Sequence, residues 1–398
     1  MPRTSLQAEA VRAVTARLSD VEPRSPAGRQ PVHTCYVPAD RVTPATIADW
    51  GAQALAALDE HAPDGLADVL DLAPDVAGAV DARVRAKLER EPVEDLRVDF
   101  EDGYGARPDD EEDADAERTA HVVRDWLRDG AAPPRFGLRM KSFDTEVSRE
   151  RGIRTLDVFL TALGGAPEGF VITFPKVTSV AQVEVFGDVL DLFGLPLRFE
   201  VQVETTRSIV DPQGRLAIPR FLEAGRGRVT GLHFGTYDYT AGCGLGAAHQ
   251  HLAHGACDFA RNVMQVSAAG TGVELSDGST NVLPVGDDVH EGWRTHYRLA
   301  RRSLAHGFYQ GWDLHPAQLV TRYAAVHAFH LEGVEADARR LRAYVARAGG
   351  SVLDEPATAQ ALSTSFLRAL DCGALDEDEI HRTTGLTVTE LRALARRE

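Results

Sequence analysis

Short β-rich segments alternate with helical ones along this chain, and that alternation constrains its fold more than any other feature of the sequence. The extended segments are residues 34–38, 96–101, 136–141, 170–174, 199–204, 229–234, a stretch around 273, and 311–314. Alternating strand and helix predict a parallel sheet, and eight repeats predict its closure into a barrel. Helical spacing is readable at 44–58 and 109–128. Ser179 with Gln182 makes a capping box ahead of the periodic run 180–193, which Gly194 and Pro196 end. After Tyr323 the pattern is helical throughout: 324–348, a break at Gly349 and Gly350, then 357–370 and 388–397. The expected fold is α/β, a (β/α)8 TIM barrel at 31–330, with a helical arm at 1–30 and a C-terminal helical extension or lid at 331–398.

A chain of 398 residues holds one such barrel with attachments. It has no apolar run long enough for a membrane span, and residues 1–20 read as a polar amphipathic helix rather than a signal peptide. Cys35, Cys243, Cys257 and Cys372 form no Cys-x-x-Cys pair, which predicts a reduced, cytoplasmic protein without structural zinc. A net charge of −17 opposes nucleic-acid binding, while one pocket can still be locally positive. The acidic run 109–117 reads as a solvated face at a helix N-terminus. Lysine is confined to Lys87, Lys141 and Lys176, and the last two fall at strand ends.

The strands are two-faced. Phe199, Val201 and Val203 share one side of 199–204, and Glu200, Gln202 and Glu204 share the other. The apolar side should meet the helices and the polar side the barrel lumen. Arg97, Asp99 and Glu101 repeat the pattern on 96–101, as do Arg139 and Lys141 on 136–141. Charges deep in the lumen must be paired, so Arg97, Asp99, Glu200 and Gln202 are expected to satisfy one another; strand-end residues are expected to carry chemistry. Glu204 and Asp238 follow neighbouring strands at the end where a barrel builds its site, with no His or Cys in metal spacing beside them. Such a pair suits a hard divalent cation, Mg²⁺ or Mn²⁺. The ion would bind the carboxylate and keto oxygens of a 2-oxo acid and stabilise the enolate left by carbon–carbon cleavage. Arg139 would add charge-assisted hydrogen bonds to the carboxylate or the oxyanion.

The motifs Tyr36-Val-Pro-Ala39, Val98-Asp-Phe-Glu-Asp102, Leu138-Arg-Met140, Phe174-Pro-Lys-Val177, Val203-Glu-Thr205, Phe234-Gly-Thr-Tyr-Asp238, Leu314-His-Pro-Ala-Gln318 and Gly349-Gly-Ser-Val-Leu-Asp-Glu-Pro356 occur in that order. In order and spacing the chain resembles the citrate lyase β-subunit and HpcH/HpaI aldolase family of phosphoenolpyruvate/pyruvate-type barrels, over roughly residues 32–370, about the size of a barrel with its attachment. The resemblance implies a lyase of small-molecule substrates that assembles as a homo-trimer or homo-hexamer and works on carbon–carbon bonds with Mg²⁺. By matching position, Glu204 and Asp238 hold the metal, Arg139 binds substrate, and Glu101 and Asp102 hold water around the metal. Asp354 matches an aspartate that crosses a subunit interface as general acid/base. Lys176 supports the charge of the pocket, and His315, ahead of a proline at a strand end, lines the pocket or relays a proton.

The chain departs from the pattern before the first strand. Residues 31–34 are Pro, Val, His and Thr where acyl-CoA lyases carry arginine, which leaves use of a CoA thioester open. His249, His251 and His254 do not share a helix face and predict no second metal site; His233 is expected to be a satisfied lumen residue. Residues 379–391 have helix-turn-helix spacing, read as a packing motif. Three other readings stay open: a malate-synthase-like condensing enzyme, echoed in Asp99 to Asp102 and in Asp238 with Tyr239; a Schiff-base aldolase using Lys141 or Lys176; and a non-catalytic barrel serving binding or assembly.

Overall fold

The computed structural model of the protein describes residues 8–16, 28–346 and 355–397. Eight strands, β1 (His33–Pro38), β2 (Asp95–Asp99), β3 (Arg135–Arg139), β4 (Phe170–Phe174), β5 (Phe199–Val203), β6 (Val229–Phe234), β7 (Glu274–Ser276) and β8 (Gly311–Asp313), form one sheet. Its order is β7-β6-β5-β4-β3-β2-β1-β8, parallel at every pairing. The two edges meet where Ser276 bridges Gln310 and the Asp277 N–H donates to the Gln310 carbonyl at 2.8 Å. The fold is therefore a (β/α)8 barrel. Strands β2, β3, β5 and β8 end one or two residues earlier than the alternation predicts, because Glu101, Lys141, Glu204 and Leu314 have already left the ladder for the loops at the mouth.

The apolar strand faces turn outward onto helices. Phe199 packs edge-on against Phe186 of the helix Val180–Leu192 at 5.1 Å between centroids, and Phe174 stacks on the same ring at 4.4 Å. Each such burial is worth about 1.5–3 kcal/mol. That helix begins at the expected box, with Ser179 Oγ accepting the Gln182 N–H at 3.3 Å and Gln182 Oε1 accepting the Ser179 N–H at 3.2 Å. In the lumen, Arg97 donates to Glu200 at 2.9 Å and also pairs with Asp95, while His233 Nε2 lies 2.9 Å from Glu200. Asp99 and Gln202 do not join them. The β2–β3 register sets Asp99 directly beside Arg139, and Gln202 reaches up its own strand to Glu204.

Several local expectations need correction. Glu112, within the acidic run, is fully buried and serves Lys141 at 2.9 Å and the Thr155 hydroxyl at 2.6 Å, so the run is not uniformly solvated. The helix Ala77–Arg90, unforeseen, enters the β1–β2 connection on a seam of Val80, Val84 and Leu88. The run 324–348 is two helices, Pro316–Leu331 and Val334–Val345, because Gly333 takes a left-handed conformation at φ 77° and turns the chain. Pro356–Asp371, Glu377–Thr384 and Val388–Arg396 follow; the helix-turn-helix spacing buries Ile380, Leu386 and Leu391. Gly349, Gly350 and Asp354 lie outside the described residues. Among the described residues no helix is long and apolar enough to cross a membrane.

Candidate active site

The C-terminal ends of β2 to β6 bring Glu101, Asp102, Arg139, Lys176, Glu204 and Asp238 to one mouth of the barrel. Asp99 organises the near side. Its Oδ1 accepts the Glu101 N–H at 3.0 Å and Arg139 Nε at 2.7 Å; its Oδ2 accepts the Gly103 N–H at 2.9 Å and Arg139 Nη2 at 2.6 Å. One carboxylate thus fixes both the loop carrying Glu101 and Asp102 and the guanidinium of Arg139. The forked edge expected to grip substrate is committed to Asp99. Only Nη1 faces the mouth, 3.3 Å from Glu101 and 3.5 Å from Gln202, and the guanidinium lies over the Tyr36 ring at 4.8 Å from its centroid.

Glu204 is held from two sides. Gln202 Nε2 donates to Oε2, and the Lys176 backbone N–H donates to Oε1 at 2.7 Å. Lys176 is a non-glycine residue with φ 49°, an uncommon conformation that aims its N–H at Glu204 while its side chain crosses the mouth. Its Nζ lies 3.0 Å from Glu101, 3.1 Å from Asp102 and 3.1 Å from Asp238. Thr205, following Glu204, caps the short helix Thr206–Ile209 and donates to the Val177 carbonyl at 2.8 Å, tying the ends of β4 and β5. Gly235 packs on Glu204 itself: a Cβ there would lie 2.4 Å from the Glu204 Cβ, so the Gly-Thr-Tyr-Asp motif needs glycine for space.

The electrostatics follow from this crowding. Burial, with Glu101 and Asp238 nearby, pushes Glu204 up to about 8 against the opposing pull of Lys176. Burial likewise raises Glu101. Burial works against ionisation of Asp102 too, but Arg139 and Lys176 hold it below the ordinary carboxylate range. Lys176 is pushed the opposite way from what burial alone would do, upward, by Glu204, Glu101, Asp102 and Asp238. Four carboxylates therefore face one ammonium and the single outward nitrogen of Arg139. That excess of hard oxygen donors and negative charge fits a divalent cation such as Mg²⁺. Among the described residues no group of three or more His, Cys, Asp or Glu is already drawn together as a metal cage; Lys176 stands among the carboxylates.

A cavity of about 740 Å³ opens beside the cluster, lined by Lys176, Glu204 and Asp238 and also by Arg207, Arg215 and Arg220. That is ample for a small metabolite. His315 does not line it. Its Nδ1 accepts the Ala317 N–H at 3.2 Å as a helix cap, and burial lowers its pKa. Lys141 is also elsewhere, donating to the Phe100 carbonyl at 2.9 Å and pairing with Glu112. His254 caps the helix Gly255–Ala268. Asp99, Tyr36 and the three arginines were not singled out as site residues from sequence. The Asp99–Arg139 pairing was available from strand register, whereas the arginines sit on a connection with no periodicity to place them.

Eight parallel strands with an acidic, arginine-backed C-terminal mouth define a TIM barrel whose candidate site lies at the end usual for that fold. The chain belongs to the family described as DUF6986, a domain of unknown function, which matches residues 11–398. No curated protein matches the sequence. Among solved structures it is similar to CitE from Mycobacterium tuberculosis in complex with magnesium, acetoacetate and coenzyme A, at 19% identity and a TM-score of 0.49, covering 87% of this chain and 99% of that one. The malate synthase of Haloferax volcanii in its magnesium and glyoxylate complex is 17% identical with a TM-score of 0.47, covering 92% and 98%. RipC from Yersinia pestis is 16% identical with a TM-score of 0.45, covering 77% and 96%. These likenesses are too distant to carry chemistry from one protein to another.

Proposed function

We propose that the protein is a Mg²⁺-dependent carbon–carbon lyase of the citrate lyase β-like and HpcH/HpaI aldolase type, cleaving a hydroxy acid, a hydroxy-oxo acid or its CoA thioester. The observation that carries this reading is the convergence of four carboxylates from three strand ends on one point beside a roomy cavity, with Arg139 against them. Mg²⁺ or Mn²⁺, when bound, would supply Lewis acidity to the oxygens of the acid being cleaved. Glu204 and Asp238 would hold it, with Gln202 and the Lys176 N–H orienting Glu204. Glu101 and Asp102 would order water at its far side. Nη1 of Arg139 would donate to the substrate carboxylate or to the oxygen that gains charge as the bond breaks. Asp354 would move the proton, reaching the site of a neighbouring subunit in a homo-trimer or homo-hexamer. The division into an arm at 1–30, a catalytic barrel at 31–330 and a lid at 331–398 belongs to the same reading, as does a cytoplasmic location.

The Schiff-base alternative is weaker. An attacking lysine must lose its proton, and Lys176 is held as an ammonium by four carboxylates. Condensation of the malate synthase kind uses the same groups in reverse and stays within the proposal. The test is an assay of free 4-hydroxy-2-oxo acids and of 3-hydroxyacyl-CoA thioesters, with Mg²⁺ and with a chelator. Cleavage of one class that stops on chelation supports the reading; metal-independent cleavage accompanied by borohydride trapping of the product would replace it with the lysine mechanism.

A further inference from the structure

The cavity lined by Glu204 and Asp238 also carries charge of the opposite sign. Arg207, Arg215 and Arg220 line it from the connection after β5. A tight turn shapes this connection: Val210 and Leu216 form an antiparallel bridge, and Asp211 Oδ1 accepts the N–H groups of Gln213 and Arg215, both at 2.9 Å. Asp211 Oδ2 accepts Arg215 Nε at 2.9 Å and Arg220 Nη1 at 2.7 Å, so two guanidiniums converge on one oxygen. Both stay partly open to solvent, with side chains 55% and 36% exposed. Arg207 is exposed and, among the described residues, has no acidic partner. Holding the turn accounts for Arg215 and Arg220. It does not account for Arg207, nor for three guanidiniums, only two of them bonded to Asp211, on the wall of one cavity in a protein of net charge −17.

We infer that Arg207, Arg215 and Arg220 form a subsite for a second anionic group, a carboxylate or a phosphate, carried at the end of the substrate remote from Glu204 and Asp238. The inference rests on the proposed reading that the acid's other end sits at those two residues. A cavity of about 740 Å³ exceeds what a three-carbon 2-oxo acid fills. Guanidinium forks recognise carboxylate and phosphate with paired charge-assisted bonds, and unsatisfied donors at a cavity wall reject a substrate ending in a methyl group. The protein would therefore select a dianionic substrate over a monoanionic one of equal length.

Calorimetric titration of the full chain with three acids tests this: 2-oxoglutarate, its methyl-ended counterpart 2-oxopentanoate, and phosphonopyruvate, each with Mg²⁺ and with a chelator. At least one dianion is expected to bind about tenfold or more tighter than 2-oxopentanoate, and which one does so distinguishes carboxylate from phosphate-type recognition. Arg207→Gln should remove most of that preference while leaving the 2-oxopentanoate affinity and the melting temperature in place, since Arg207 is exposed and has no acidic partner among the described residues; Arg207→Gln with Arg220→Gln should remove the rest. Equal affinity for all three acids, no binding of any, or an undiminished preference in Arg207→Gln would overturn the inference. A preference that depends on Arg207 but is indifferent to Mg²⁺ would sustain the arginine subsite and count against the metal reading.

Discussion

Glu200 and Glu204 sit four residues apart on the same face at β5, are both buried, and are driven in opposite directions. Burial alone would raise each of them. For Glu200 that is outweighed by Arg97 and His233, which hold it far below the ordinary range. Glu204 meets Glu101 and Asp238 as well as Lys176, and goes up to about 8. The lower layer of the barrel is a closed account of paired charges; the mouth is left with acid in excess. Ion pairing in the lumen is what a fold requires of buried charge, and the uncompensated layer above it is where a cation and an anionic substrate have reason to bind.

The largest expected effect breaks the lower layer. Glu200→Gln leaves Arg97 short of a buried partner and should cost about 3–5 kcal/mol in urea unfolding, the range for breaking a buried pair. A loss under about 1 kcal/mol would mean that Asp95 alone satisfies Arg97 and that the two layers differ less than the geometry indicates. Next comes Arg139→Lys. A lysine cannot reproduce the two bonds to Asp99 together with an outward donor, so turnover should fall by roughly 2–4 kcal/mol of transition-state stabilisation. Activity within a few-fold of the wild type would reduce Arg139 to a point charge. Smaller still is a pH effect away from the mouth. Burial holds His327 at about 3 and His330 at about 4. The unfolded chain takes up these protons below about 6.5 and the folded chain does not, so stability present above that pH is lost as pH falls, by up to about 1.4 kcal/mol per unit for each histidine. Denaturation midpoints between pH 7 and 5 should fall less steeply in His327→Leu; equal slopes would remove His327 from the account.

The barrel was legible because a strand of alternating faces and a capped helix are written locally, in residues such as Phe199, Val201 and Val203 or Ser179 with Gln182. Glu204, Asp238, Glu101, Asp102, Arg139 and Lys176 were legible as strand-end residues, and the structure brings all six together. Relations across strands were harder to read. Asp99 was assigned to the lumen because its face was known and its height was not; half a layer upward makes it the residue that fixes Arg139 and the Glu101–Asp102 loop. His315 was read toward the pocket from its place after β8, yet its ring nitrogen closes a helix N-terminus instead. Gly235 carries no signal beyond being glycine until Glu204 is packed against it. Of the arginines after β5, Arg215 lies on a turn set by Asp211 and Arg207 and Arg220 on the short helices either side of it, so their meeting depends on side-chain to backbone bonds that periodicity does not report.

The central claim is that the acid excess at the mouth is a divalent-cation site built on Glu204. Thermal unfolding of the wild type and of Glu204→Gln, each with a chelator and with saturating Mg²⁺, tests it without any assumed substrate. In chelator the variant should melt close to the wild type, because a carboxyl pushed up to about 8 is largely protonated at neutral pH and glutamine is its neutral counterpart. Mg²⁺ at about a hundred times its Kd should then stabilise the wild type by about 2.7 kcal/mol and leave Glu204→Gln unmoved. An equal response of both proteins, or none in the wild type, would contradict the claim.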